Sequence, residues 1–132
     1  MAQEKNDQLH VELVAADRTV WSGEVTMVIA RTMEGDIGVL RNHTPVLSAL
    51  SAGVLTLDTV DGEQIVAAVG EGFISVAHNR VSILSEFTQL AGEVDVSEAR
   101  SDLEAAESDE SAGAPDRVAW AQARIRAAEH VS

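Results

Sequence analysis

The residues best suited to acid–base or metal chemistry are four histidines, His10, His43, His78 and His130, and no two stand in ligand spacing. A helical zinc motif needs a pair at i and i+4 so that both rings leave one face. No metal site is expected. The chain has no cysteine, which excludes thiolate ligands, a thiol nucleophile and disulfides together. No serine sits in a Gly-x-Ser-x-Gly elbow that would set it beside a base. The carboxylates are spread along the chain rather than paired, which reads as a solvated surface. Gly70-x-Gly72 lacks the third glycine and following helix of a dinucleotide loop, and Gly35-x-x-Gly38 lacks Gly-Lys-Ser/Thr. Both are read as turn glycines, and no catalytic residue is expected.

What remains is suited to contact. The stretch Glu34-Gly35-Asp36-Ile37-Gly38-Val39-Leu40-Arg41-Asn42-His43-Thr44-Pro45 combines two glycines free to take unusual backbone angles with a proline that fixes its own and restricts Thr44. It reads as an ordered corner presenting polar residues to a partner. His43 within it is either a turn residue bonded to local backbone or part of that surface. Near the C-terminus, Arg100, Arg117, Arg124 and Arg126 either gather a phosphate or pair with Glu98, Glu104 and Glu107. Trp120 has Arg117 three residues before and Arg124 four after, so it either stacks on a guanidinium or covers a helical seam with the arginine stems alongside.

The elements that must position these residues follow from periodicity. Leu9, Val11, Leu13 and Ala15 alternate with polar residues, the pattern of a half-buried strand. Trp21-Ser22-Gly23 is read as closing a short strand, and Val25, Met27 and Ile29 begin a longer one. Val54–Val60 and Ile65–Val69 flank Asp61-Gly62, a two-residue hairpin signal, and the near-continuous apolar run of the second suggests burial on both faces. Phe73–Ala77 and Val81–Leu84 pair across His78-Asn79-Arg80, and Phe87–Leu90 is a last short strand. Many short strands at close spacing indicate a sandwich or barrel.

From Gly92 the period changes. Asp95-Val96-Ser97-Glu98 resembles a capping box, after which Val96, Ala99, Leu103 and Ala106 recur at helical spacing. Ser108–Ala114 breaks that helix. Pro115 suits the first turn of a second, along which Val118, Ala121, Ile125 and Ala128 make another stripe. An antiparallel hairpin is expected, each alanine-rich stripe covering the other, and the thinness of that contact predicts the least stable part of the molecule.

With 132 residues the chain has room for one domain, or one with an appendage. Aromatics make up 3% of the sequence, too few for a stacking platform, and the formal net charge of -13 repels phosphate backbones and anionic lipid. Nucleic acid is not expected as a partner. Residues 1–8 are polar with no apolar signal region, and no segment has the roughly 20 apolar residues of a membrane span, so no direct membrane insertion is expected.

Gly35-Asp36-Ile37-Gly38-Val39-Leu40 with His43-x-Pro45, the Gly72–Val76 and Val81–Leu84 pair, and Ser97-Glu98-Ala99-Arg100 together resemble the epsilon subunit of bacterial F-type ATP synthases, with a short, actinobacterial-like C-terminal part. The resemblance implies a ten-stranded β-sandwich over residues 1–92 and a regulatory two-helix hairpin over residues 93–132. It implies a non-catalytic rotor subunit linking gamma to the c ring, coupling proton flow to ATP synthesis and restraining hydrolysis when its helices meet the alpha/beta hexamer. Asp36, Ile37, Arg41 and His43 map to the loop that meets the c ring. The implied location is peripheral, on the cytoplasmic face of the plasma membrane. Members that bind ATP on these helices carry an Asp where this chain has Ser97. Arg100 is retained as the one ATP candidate, and weak or absent ATP binding is expected. The second helix, about 24 Å long at 1.5 Å per residue, implies modest inhibition. The competing reading is a free-standing β-sandwich ligand-binding module with a helical tail.

Overall fold

The computed structural model describes residues 8–131. In chain order its strands are β1 Leu9–Ala15, β2 Thr19–Thr32, β3 Gly35–Val39, β4 Val46–Leu50, β5 Gly53–Thr59, β6 Gln64–Val69, β7 Gly72–Ala77, β8 Arg80–Ser85 and β9 Thr88–Leu90. A short turn of 3-10 helix at Ala91–Glu93 leads to the helices α1 Val96–Glu107 and α2 Ala114–Val131. The polar segment of residues 1–7 lies outside the described residues.

The described strands number nine rather than the ten that the resemblance implies, and β2 runs unbroken through Trp21-Ser22-Gly23. Gly23 was expected to end a strand, but it stays within one to make room for a ring. A Cβ there would stand 2.8 Å from Cη2 of Trp21. Along its first half β2 pairs with β1, and along its second with β3 on one edge and β5 on the other. Its register with β5 shifts between Val25 and Met27, a bulge of the kind that redirects a strand. The same strand therefore serves two layers, β1-β8-β7-β4 and β3-β2-β5-β6-β9.

Alternate side chains of both layers meet in one core. Leu9, Val11, Leu13, Ile74, Val76, Val81 and Ile83 come from the first, and Val28, Ala30, Val39, Leu55, Leu57, Ala67 and Val69 from the second. β6 is buried on both faces, as its apolar run predicts. Ala67 and Val69 enter the sandwich core, while Val66 and Ala68 lie under Ala123, Ala127 and Trp120 of α2. The helices thus do more than cover each other, because α2 is seated on the sheet. Alanine on both sides allows close approach, and each methylene-sized unit buried contributes about 0.8 kcal/mol. Asp95 caps α1 by accepting the Glu98 N–H, and Pro115 lies in the first turn of α2.

Turn chemistry differs from expectation at two places. At Asp61-Gly62 only the glycine has positive φ, at 89°, within a four-residue connection closed by a hydrogen bond from the Gly62 N–H to the Thr59 carbonyl. The two-residue turn with both centres left-handed is His78-Asn79, with φ of 53° and 61°, joining Ala77 to Arg80.

Gly72 is the position where the fold least tolerates a side chain, since an added Cβ would penetrate the Leu84 carbonyl on the neighbouring strand. Gly38 on β3 faces open space. Gly72→Ala is expected to lower unfolding free energy by about 2–4 kcal/mol, and Gly38→Ala to stay within about 0.5 kcal/mol of wild type, both read from urea denaturation.

Candidate functional site

The expected contact residues sit along an edge. β3 pairs only with β2, so its other edge carries no strand among the described residues. Asp36 lies near the start of β3, exposed, its carboxylate 3.2 Å from Nε of Arg31 on the paired strand. Ile37 turns partly inward and packs on the sandwich core. Arg41 and His43 follow the far end of β3. At about 3.3 Å per residue the two groups are on the order of 15 Å apart, so the corner is a rail with a polar residue at each end rather than a single point. Gly35 has φ 117° as its turn requires, whereas Gly38 is an ordinary strand residue opposite Ile29.

The loop carrying Arg41 and His43 is held from outside. Asn42, with φ 66°, donates its backbone N–H to Oδ1 of Asn79 at 2.6 Å, and Asn79 returns a bond from Nδ2 to Oδ1 of Asn42 at 3.2 Å. This reciprocal amide clasp ties the β3–β4 loop to the β7–β8 turn. The His43 N–H closes a turn onto the Leu40 carbonyl. Its ring Nδ1 lies 2.6 Å from the Thr44 carbonyl, an acceptor only, so Nδ1 carries hydrogen and neutral Nε2 is left as an acceptor. The local-bond reading of His43 is met by one ring nitrogen, and the other is left available. Arg41 has no ion-pair partner among the described residues.

The Asn79 carbonyl also receives the His10 N–H, at the edge of a second polar cluster. His10 Nδ1 lies 2.6 Å from Oε2 of Glu24, and Nε2 lies 2.8 Å from Oε2 of Glu12, which also accepts from the Ser22 hydroxyl. A neutral imidazole has one N–H, so both contacts are hydrogen bonds only when the ring is protonated. The bonds to Glu24 and then Glu12 accordingly raise His10 above the usual 6.5, and the Ser22 hydroxyl followed by His10 lowers Glu12.

Sequence reasoning missed an apolar face. Leu47 of β4, Phe73 of β7 and Leu84 of β8 are 72%, 55% and 53% exposed. Phe73 lies opposite both Ala49 and Leu84, and Leu47 shares the face of Ala49 two residues on. One outer surface therefore carries three large uncovered side chains. The alternation of these strands contained the signal, because their out-facing positions include Leu and Phe where polar residues belong.

The helical arginines do not converge. Arg124 is buried, with Nη2 2.7 Å from Asp102 and its guanidinium 5.6 Å from the centre of the Trp120 ring, and Arg117 pairs with Asp109. Trp120 both covers the seam and carries a guanidinium. Arg100 is exposed on α1. No group of three or more metal-ligating side chains is gathered among the described residues.

A sequence profile described as the beta-sandwich domain of the ATP synthase delta/epsilon chain matches residues 8–91. The chain belongs to the ATP synthase delta/epsilon family. The matched span is nearly coextensive with β1–β9. Among relatives of this family, the ATP synthase epsilon chain of Streptomyces coelicolor is 51% identical over 121 residues, 92% of this chain and 95% of that one. The epsilon chain of Nocardia farcinica is 44% identical over 133 residues, covering 100% of this chain and 98% of its own. The likeness to both runs through the helices as well as the sandwich. A chain in the cryo-EM structure of the Euglena gracilis mitochondrial ATP synthase, comprising OSCP, F1 and c ring, shares the fold with a TM-score of 0.77 at 22% identity. It covers 95% of this chain and 81% of that one.

Two outcomes test the geometry of this delta/epsilon family member. Asn79→Gly keeps the left-handed turn but removes the clasp, so exchange of the Asn42 amide is expected to accelerate about five- to tenfold, with strand amides unchanged. Asn79→Asp retains the acceptor and is expected to keep that amide protected. The His10 cluster sets a pH dependence. Because the folded value is raised, its stabilisation is complete below about pH 6.5 and is lost as pH rises through the folded value. The urea midpoint should therefore fall across that window in wild type, and His10→Gln should flatten that part of the profile.

Proposed function

We propose that this chain works as a non-catalytic epsilon-type rotor subunit, joining gamma to the c ring in a proton-translocating ATP synthase. The observation that carries this is the outer face of β4, β7 and β8, where Leu47, Phe73 and Leu84 stand uncovered on an otherwise acidic chain. An apolar face of this kind supports a protein partner, and gamma is assigned to it. Residues 1–92 are assigned as the rotor-binding domain and residues 93–132, which include the helical hairpin, as the regulatory one.

The c-ring loops are assigned to the β3 rail, with Asp36 at one end and Arg41 and His43 at the other. An unpaired guanidinium and a free imidazole acceptor, on a loop whose backbone is held by the Asn42–Asn79 clasp, suit polar loops that present a carboxylate or a hydrogen-bond donor. Ile37 contributes by anchoring the rail to the core. The helices reach the alpha/beta hexamer when they leave the sheet, and modest restraint of hydrolysis follows from the thin alanine seat and the length of α2. ATP binding is weak or absent, because Ser97 replaces an acid, and Arg117 and Arg124 are already engaged by Asp109 and Asp102. No described helix is long and apolar enough to cross a membrane. Within the membrane-associated complex the chain is assigned peripherally to the cytoplasmic side.

Capture on immobilised gamma and on c rings separates the two contacts. Phe73→Glu is expected to weaken gamma capture by about tenfold or more without shifting the melting temperature by more than a few degrees. Arg41→Ala with His43→Ala is expected to weaken c-ring capture and ATP synthesis while gamma capture persists. Unchanged capture by both variants would overturn the assignment.

A further inference from the structure

Beyond the rotor contacts, a cavity of about 480 Å³ opens between the first turns of α2 and four turns of the sandwich. Its volume lies in the range of small-molecule sites, which favour seams between structural units. The apolar wall is made by Met33, Phe87 and Trp120. Met33 is 69% and Phe87 51% exposed, although a thioether and a phenyl ring are of types normally covered. Phe87 and Trp120 lie with ring centres 5.7 Å apart at 32°, a tilted pair that leaves aromatic surface facing the opening.

The polar wall has a definite sign. Glu71, Glu86 and Asp116 line the cavity, and their carboxylates have no ion-pair partner among the described residues. The one cation on the wall, Arg117, is already paired with Asp109. An apolar aromatic floor under three uncompensated carboxylates is complementary to a small cation with an aromatic or aliphatic body, since the cation is attracted by the carboxylates and its body by the exposed Phe87 ring and Met33, the Trp120 ring already carrying the Arg124 guanidinium.

From this the geometry points to a binding site for a small amphiphilic cation, an organic amine or ammonium with an apolar body, at the seam between α2 and the sandwich. Four of the eleven lining residues belong to α2 and seven to turns of the sheet, so an occupant binds at full strength only while the helix is seated. By linkage such a ligand holds α2 on β6. The site is independent of the gamma and c-ring assignments, none of whose residues line it.

The test uses the full chain carrying Trp21→Phe, which leaves Trp120 as the sole tryptophan, titrated with phenylbutylamine and its isosteres phenylbutanol and phenylbutyrate. Saturable change in Trp120 emission is expected with the amine, binding about tenfold weaker with the alcohol, and none with the carboxylate. Combining Glu71→Gln, Glu86→Gln and Asp116→Asn, all surface changes, is expected to bring the amine down to the affinity of the alcohol. The amine should also slow amide exchange along α2. Equal binding of all three compounds would reduce the cavity to a greasy surface and overturn the inference. Undiminished amine binding by the triple variant would assign it to the general negative charge of the chain and overturn it equally. So would amine binding that leaves α2 exchange unchanged.

Discussion

Burial of β6 on both of its faces is the constraint on which the arrangement of this molecule rests. Ala67 and Val69 close the sandwich from within, while Val66 and Ala68 present a second apolar surface that water must leave. Only a helix with small residues at matching positions can lie close enough to cover it, and Ala123 and Ala127 meet that requirement. Had larger side chains stood there, α2 would be lifted from the sheet. The seam would then lose contact along its length. The seat also explains why Trp120 is placed where it is, reaching past the alanines to Phe87 at the margin of the sheet.

The outer surfaces divide according to what covers them. Among the described residues, the far side of β6 is covered by the chain itself, the outer face of β4, β7 and β8 is not, and the edge of β3 is left unpaired. An uncovered apolar face and an open strand edge are liabilities for a protein that stays alone. They are expected in one that is permanently assembled, and this agrees with membership of the ATP synthase delta/epsilon family. The edge is kept from indiscriminate pairing by Asp36 and by the loop bearing Arg41, both charged.

Much of this was legible in the residues. Period-two alternation marked the strands, the apolar run of β6 foretold its double burial, and Asp95 and Pro115 marked where the helices begin. What the sequence concealed has physical causes. Gly23 reads as a stop because a glycine usually ends a strand, yet its role depends on a ring folding back over it. Asp61-Gly62 resembles the favoured two-residue turn more closely than His78-Asn79 does, and only strand register decides between them. The motif holding Asp36 and His43 looks compact in one dimension because β3 lies extended between them. The clasp of Asn42 with Asn79 joins residues far apart in the chain, and no local pattern announces it. The seating of α2 was likewise hidden, since an alanine stripe looks the same whether it faces a helix or a sheet.

One consequence follows from the continuity of β2 through both layers. A lateral load on the loop after β3 enters the sandwich along five antiparallel residue pairs between β3 and β2. Those bonds are strained together in shear instead of being opened one after another. From β2 the load passes by covalent backbone through the bulge at Val25–Met27 into the ladder with β1. Stiffness under sideways force thus resides in peptide bonds and cooperative ladders, and little of it depends on how tightly the side chains between the layers are packed.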